Sequence, residues 1–409
     1  MKASLGSTCE ITIRYEDFSL FARENPQSAR FALQSESRDL LPNERVKNCL
    51  RVRRSQREPV DILYVSATNS AHFGNLQTCG SIWICPICAS KITSRRRSEL
   101  SLAVEVWTGR GNRILLATFT LQHFVGEPCA DILLGILKSF SKLWGERAGQ
   151  KLLRKYKVIG RVRGLEVTYT LAGGWHWHIH GLFFVEGEIS PGIIGEMQGD
   201  FSEVWQGVLG RHGRYADGQH GVTIRFTDRE IADYVAKYGE GGLKLYDARA
   251  WTEAHELALS PVKKAAVGGY TPTQLLGLSL CGAEDAGRLF VEYHKAVKGK
   301  SQLYWSRGLR GLLGLVKDKS DEEIAEEQDQ TAAILARLDR DQWRIILAND
   351  ARSDLLKVAK TGDVWAVLDF LEDFGLTDVY YPLLLNDPNY LGLYRVCPQD
   401  DDDGSGVAQ

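Results

Sequence analysis

The fold of this chain turns on the stretch Gly164-Leu-Glu-Val-Thr-Tyr-Thr-Leu-Ala-Gly-Gly-Trp-His-Trp-His-Ile-His-Gly-Leu-Phe-Phe-Val185. Lys157–Leu171 alternates as a strand, Gly173-Gly174 marks a turn, and Trp175–Glu186 reads as a second strand. Alternation on both sides of a Gly-Gly pair reads as two antiparallel strands joined in a hairpin. Alternate side chains of a strand share one face, about 6.6 Å apart along the backbone. His176, His178 and His180 therefore project together, while Trp177 and Ile179 face the other way. Two imidazoles so placed can converge on one divalent ion, and Glu166 on the adjacent strand is the expected oxygen ligand. The competing reading is a strand with three solvent-facing histidines. Three of the chain's nine histidines within five residues argue against it.

Working outward, Ile114–Leu121 reads as a strand and Ala130–Ala148 as a helix, apolar at 132, 133, 136, 137, 140, 143 and 144. Ser190-Pro191 opens a helix that runs to Leu209, Gly221–Phe226 is a strand, and Asp228–Tyr238 is a helix. The order β-α-β-β-α-β followed by a helix predicts an α+β fold, a ferredoxin-like antiparallel sheet with helices on one face. Four segments are expected. Residues 1–104 hold a polar, irregular start, a zinc knuckle and a basic helix over Ser90–Val104. Residues 105–245 form the sheet domain, 246–316 a helical extension, and 317–409 an acidic helical C-terminal region. Helices are predicted after Thr271-Pro-Thr-Gln274, over Asp285–Lys298 and over Glu322–Arg340.

On the Asp228–Tyr238 helix, Glu230, Tyr234 and Tyr238 fall at i, i+4 and i+8, and Lys237 neighbours Tyr234. A tyrosine phenol has an ordinary pKa of about 10, so a nearby ammonium that favours phenolate is what a phosphate-attacking tyrosine needs. Each residue also has a plainer reading. Thr227-Asp-Arg-Glu230 is a capping-box pattern, and two tyrosines four apart can simply pack.

Cys79-x5-Cys85-Pro-Ile-Cys88 is a partial zinc pattern, because two thiols separated by two residues can reach one ion. A structural zinc needs four ligands; Cys49 is the expected fourth, with His72 behind it. The alternative is a set of buried, metal-free cysteines. Arg95-Arg96-Arg97 on the following helix is expected to neutralise DNA phosphates. Tyr304-Trp305-Ser-Arg307-Gly-Leu-Arg310 suits either a grip on DNA or a packed helix edge.

With 44% hydrophobic and 25% charged residues over 409 positions, the composition is that of an ordinary globular protein. No apolar run reaches the ~18–20 residues of a membrane span, and the start lacks a secretory pattern, so a cytoplasmic location is expected. The net charge of -2 conceals an asymmetry. Residues 317–409 carry 9 Lys/Arg against 21 Asp/Glu, which leaves 41 against 31 in residues 1–316. A basic body with an acidic end suits a nucleic-acid binder.

Taken together, the strand containing Thr118-Phe-Thr120, the pair His178-Ile-His180 and the run Glu230-x-x-x-Tyr234-x-x-Lys237 resemble the HUH endonucleases. They look most like the rolling-circle replication initiators (Rep proteins) of small plasmids. The resemblance spans roughly residues 45–310. It implies an HUH palm in which His178, His180 and Glu166 hold Mg²⁺ or Mn²⁺. Tyr234 would be the nucleophile, Lys237 its helper, and Glu230 the activator of water in the terminating cleavage. Relatives of this kind often carry a Cys-x-x-Cys element ahead of the nuclease. Tyr238 departs from the pattern and resembles the two-tyrosine initiators of single-stranded DNA phages, although Gly241 stands where its lysine would be.

The implied function is nicking of one origin strand through a 5′-phosphotyrosine, release of a 3′-OH primer, and rejoining at termination. The implied partners are origin DNA, single-stranded or hairpin-extruded, and host helicase, polymerase and single-strand binding protein, with no membrane. No Gly-x-x-x-x-Gly-Lys-Ser/Thr loop is present, so any helicase is a separate protein. Two rivals are a rolling-circle transposase of the same chemistry and a zinc-dependent DNA-binding regulator without nuclease activity.

Overall fold

The computed structural model describes residues 5–218, 221–226, 269–327 and 331–381. In chain order the first elements are α1 (Leu5–Glu24), α2 (Pro26–Leu40), β1 (Val60–Val65), β2 (Ser70–Phe73), α3 (Pro86–Thr108) and β3 (Arg113–Phe119). Then come α4 (Cys129–Gly145), α5 (Arg147–Lys155), β4 (Val158–Thr170), β5 (Gly174–Val185), α6 (Pro191–Gly210) and β6 (Val222–Phe226). After these lie α7 (Pro272–Leu280), α8 (Glu284–Val297), β7 (Leu303–Trp305), α9 (Leu309–Leu312) and α10 (Asp321–Glu326). The last are β8 (Ala333–Leu338), α11 (Arg340–Ala348), α12 (Arg352–Ala359) and α13 (Val364–Glu372). The chain divides into two units, one of residues 1–47 and 79–325, the other of residues 48–78 and 326–409.

The first unit is built on a five-stranded sheet of order β6-β3-β5-β4-β7. Its described pairs are all antiparallel. Without the short edge strand β7, the sequence β3-α4-β4-β5-α6-β6 has the strand order expected of a ferredoxin-like sheet. The hairpin turns where the two glycines predicted it. Gly174 has φ +74°, which favours glycine, and a Cβ there would make a tight 3.2 Å contact with the Phe124 carbonyl.

The two faces of this sheet are covered differently. On one, Phe119 and Phe183 meet Phe140 and Trp144 of α4 and Phe201 and Trp205 of α6, largely edge to face. Each such side chain contributes roughly 1.5–3 kcal/mol by leaving water. The predicted apolar stripe of α4 does this work, with Ile132, Leu133, Ile136, Phe140, Leu143 and Trp144 all buried. On the other face α3 lays Leu100, Ala103, Val104 and Trp107 over Ile114, Leu116, Val162, Leu182 and Phe184. Helices therefore cover both faces, not one as expected. Because α3 covers the Leu182–Phe184 end, the histidines lie at the other end of the same face.

The second unit contains a three-stranded antiparallel sheet of order β2-β1-β8. Phe73 of β2 meets Trp343 of α11 edge on, at 5.0 Å between ring centroids.

Several local expectations change. Residues 1–60 are not irregular, since α1 and α2 occupy most of the first forty. The buried side of α2 mixes Ala29, Phe31 and Leu33 with Gln34 and Ser37, and those polar positions hide its helical period. The predicted helix over 322–340 is instead the short α10 followed by strand β8. Ala333–Leu338 has helix-forming residues, but pairing with β1 decides its conformation. Tyr304 and Trp305 lie on edge strand β7, not on a helix. The Thr271–Gln274 capping box is present. Helices otherwise predominate among the described residues beyond 269.

Candidate active site and metal centres

Strand alternation places His176, His178 and His180 on one face of β5, and register places Glu166 of β4 directly opposite His178. Thr118 of β3 is opposite His180 on the other flank. One Glu166 carboxylate oxygen lies 2.9 Å from Nε2 of His180 and 3.6 Å from Nδ1 of His178. Nδ1 of His180 is 3.1 Å from the Thr118 hydroxyl. Nε2 of His178 is 2.8 Å from Nε2 of His176. Ligand atoms of Glu166, His178 and His180 all lie within 4.8 Å of one another.

The electrostatics of this group favour ligation. Burial alone would raise the Glu166 pKa, but its hydrogen bonds to His178 and His180 outweigh that and lower it to about 2. Glu166 is thus an ionised acceptor. Burial lowers the pKa of His180 despite the nearby carboxylate, so its imidazole is neutral at neutral pH. Burial, followed by the neighbouring His178 and His123, lowers His176 to about 3. One carboxylate and two imidazoles could together hold a divalent cation, with coordination positions left for further ligands. The side chains of His178 and Glu166 remain 25% and 16% exposed, so the group is reachable.

Two neighbours were not expected as site residues. His123 packs against His176 with ring centroids 4.6 Å apart and the rings tilted by 38°, and its Nδ1 lies 2.9 Å from the Gly173 carbonyl. The signal for it was weak. His123 lies just beyond β3, the strand paired with β5, but off the alternation of either. Thr118 appeared only as part of a threonine-rich strand; its register opposite His180 follows from sheet order, which one strand cannot reveal. Glu230, Tyr234, Lys237 and Tyr238 lie outside the described residues.

In the first unit Cys79, Cys85 and Cys88 are buried, and their sulfurs lie within 4.8 Å of one another. Cys79 and Cys88 are 3.6 Å apart. Cys85 is the N-cap of α3 and Pro86 its first residue, so Cys85 and Cys88 sit together at one helix start. The buried polar residues of α2 support this turn: Gln34 donates to Cys85 Sγ at 3.5 Å and Ser37 to the Ile84 carbonyl at 2.6 Å. Gly80 has φ +64°, and a Cβ on it would run into the Glu322 backbone at 2.8 Å. Three convergent buried thiols fit zinc chemically, with one ligand still to be supplied. Cys49 is buried in the second unit, and His72 lies on β2 there.

The arginine run has divided roles. Arg96 hydrogen-bonds Asp318 and donates to the Lys319 carbonyl at 2.6 Å, with Asp321 and Glu99 each at 3.4 Å. Burial opposes its charge, but these acids, Asp318 foremost, more than compensate and raise its pKa. Arg310 joins the same network, 3.2 Å from Glu99. Arg96 is therefore committed to internal carboxylates. Arg95 is 40% exposed beside Glu99 at 3.6 Å.

Among the described residues no helix is long and apolar enough to cross a membrane. The chain is 30% identical over 354 residues to Protein rep of Streptomyces lividans, covering 71% of this chain and 72% of that protein. It is also 27% identical over 146 residues to the Neomycin resistance protein of Streptomyces cyanogenus, covering 30% of this chain and 33% of that one. No family model matches. No solved structure matches either.

Proposed function

From the premise that this chain belongs to the Rep family represented by Protein rep of Streptomyces lividans, we propose that it is an HUH-type initiator of rolling-circle plasmid replication. It nicks one origin strand and later rejoins it. The observation that carries this reading is the approach of His178 Nδ1 and His180 Nε2 to one Glu166 oxygen at the reachable end of the sheet. A Mg²⁺ or Mn²⁺ ion held by Glu166, His178 and His180 would supply Lewis-acid polarisation of the scissile phosphate. The rest of the chemistry belongs to the chain. The Tyr234 phenolate oxygen attacks phosphorus in line, the O3′–P bond breaks, and a Tyr–O–P bond to the 5′ side forms. The free 3′-OH then primes synthesis. The ester retains the energy of the broken linkage, so rejoining needs no nucleotide. Lys237 favours the phenolate. Glu230 or Tyr238 serves the terminating cleavage, by activating water or by a second attack.

Zinc held by Cys79, Cys85 and Cys88 would brace the start of α3, with no role in the reaction, and Cys49 is the fourth ligand expected from the sequence. The DNA is gripped as an exposed single strand or extruded hairpin, and host helicase, polymerase and single-strand binding protein complete the cycle. The site of action is the cytoplasm.

The test is incubation of the full chain with end-labelled single-stranded origin DNA and Mn²⁺, followed by denaturing electrophoresis. A slow protein–DNA band is expected, lost in Tyr234→Phe. A band that survives Tyr234→Phe but not the double change with Tyr238→Phe reassigns the nucleophile. Absence of the band in the unchanged protein leaves the inert DNA-binding regulator as the better reading.

A further inference from the structure

His178 and His180 each have one ring nitrogen near Glu166 and the other held by a neighbour, and the two holders differ. Nε2 of His178 meets Nε2 of His176 at 2.8 Å, which leaves Nδ1 on the Glu166 side. Nδ1 of His180 meets the Thr118 hydroxyl at 3.1 Å, which leaves Nε2 on the Glu166 side. The two imidazoles thus present opposite nitrogens to one place. Ring orientation and tautomer of a ligating histidine are set by the hydrogen bond at its other nitrogen.

We propose that His176 and Thr118 are positioning residues, which fix His178 to offer Nδ1 and His180 to offer Nε2 for a divalent cation. The inference rests on the metal-dependent reading of the Glu166 group. Without metal, His180 donates Nε2–H to Glu166 and accepts from the Thr118 hydroxyl at Nδ1. With the ion bound, Nε2 must be bare, so the proton resides on Nδ1 and is donated to the Thr118 oxygen. A hydroxyl can reverse its role in this way, being both donor and acceptor. His176 serves His178 likewise. When His178 offers Nδ1 to the ion, its proton is on Nε2 and is accepted by Nε2 of a neutral His176 carrying its own proton on Nδ1. His123 packs against His176 with ring centroids 4.6 Å apart and limits the movement of that acceptor. This gives His176, outside the pair that the sequence motif singles out, a specific task.

The experiment titrates Mn²⁺ into the metal-stripped full chain by calorimetry, for the unchanged protein and four variants. Gln at 176 keeps an acceptor where Nε2 was, while Phe keeps the ring and removes it. Ser at 118 keeps the hydroxyl, while Val keeps the shape and removes it. His176→Gln and Thr118→Ser should bind within about threefold of the unchanged protein, and His176→Phe and Thr118→Val about 10- to 100-fold more weakly. Nitrogen-resolved NMR of histidine-labelled, metal-free His176→Phe, checked for fold by circular dichroism, should show an altered His178 tautomer ratio and an unaltered His180. Unchanged Mn²⁺ affinity in both His176→Phe and Thr118→Val overturns the proposal. So does loss of one coordinating nitrogen from the Mn²⁺ electron-spin-echo spectrum of His176→Phe, which would make His176 itself a ligand. No Mn²⁺ binding by the unchanged protein defeats the underlying metal-dependent reading instead.

Discussion

Glu166 lies directly across the β4–β5 ladder from His178, and the same carboxylate oxygen is 2.9 Å from Nε2 of His180, two residues further along. One acid on a strand thus serves two imidazoles on the next strand, and none of the three lies on a loop. Because both strands are central to a covered sheet, the geometry is set by backbone register and costs little to maintain on binding. Exchange of Glu166 for Gln keeps shape and removes charge. Mn²⁺ affinity should fall by about 100-fold or more, since the anionic ligand is lost. Circular dichroism of the metal-free variant should match that of the unchanged protein. Tight Mn²⁺ binding by Glu166→Gln would place the ion elsewhere.

Zinc content gives an independent test of the thiol group. Elemental analysis should return one zinc per chain, and Cys88→Ser should return much less. A structural zinc site contributes directly to folding, so the variant should also melt lower by several degrees. The comparison of Cys49→Ser with His72→Ala decides the fourth ligand, because only the true one should cost zinc. Retention of zinc in both Cys79→Ser and Cys88→Ser would leave these as buried, metal-free thiols.

What the sequence reveals here follows the range of the interactions involved. The histidine hairpin was legible because period-two alternation and a Gly-Gly turn are local signals, and Glu166 followed from counting back across that turn. The strand order was inferable from a βαββαβ sequence because few connections satisfy it. The partners of Arg96 were not legible. Asp318 and Asp321 lie more than two hundred residues downstream, and nothing in Arg95-Arg96-Arg97 separates the middle residue from its neighbours. β8 was hidden for a similar reason, since its partner β1 is remote in sequence and its residues favour helix locally. The buried side of α2 was obscured because Gln34 and Ser37 face the cysteine turn. Tyr234 and its neighbours fall outside the described residues, so their reading rests on the sequence motif alone.

The arginines make a separable prediction. Arg96→Ala removes the centre of a network with Glu99, Asp318 and Asp321, and leaves Glu99, buried at 8% exposure, with less compensation. A loss on the order of 2 kcal/mol is expected, below the usual range for a fully buried pair because Asp318 is half exposed. Urea unfolding measures it. Arg95→Ala should leave stability within about 0.5 kcal/mol. If Arg95 meets a phosphate, this change should lower the salt-dependence slope of DNA binding by about one. If instead Arg96→Ala weakened DNA binding at unchanged stability, the internal network would not be its main task.

The buried histidines predict the acid behaviour of the metal-free protein. Burial lowers His176 to about 3, and His123 and His180 are lowered as well, whereas unfolded histidines titrate near 6.5. Below that value the unfolded chain binds protons that the folded chain refuses, so stability falls as pH drops. For His176 alone the loss between pH 8 and pH 5 is on the order of 2 kcal/mol. Glu166, lowered to about 2, adds a second loss that begins as pH falls through the unfolded carboxylate range near 4 and ends near 2. Calorimetric melting in a chelating buffer should therefore show a falling midpoint from about pH 6.5 downward, with a further drop below about pH 4.5. Mn²⁺ binds only the deprotonated folded site, so saturating ion should raise the midpoint most near neutral pH and least in acid. His176→Gln removes one of these histidine contributions and should flatten the first decline. A midpoint insensitive to pH between 7 and 5 would mean that these imidazoles take up protons in the folded chain as readily as in the unfolded one.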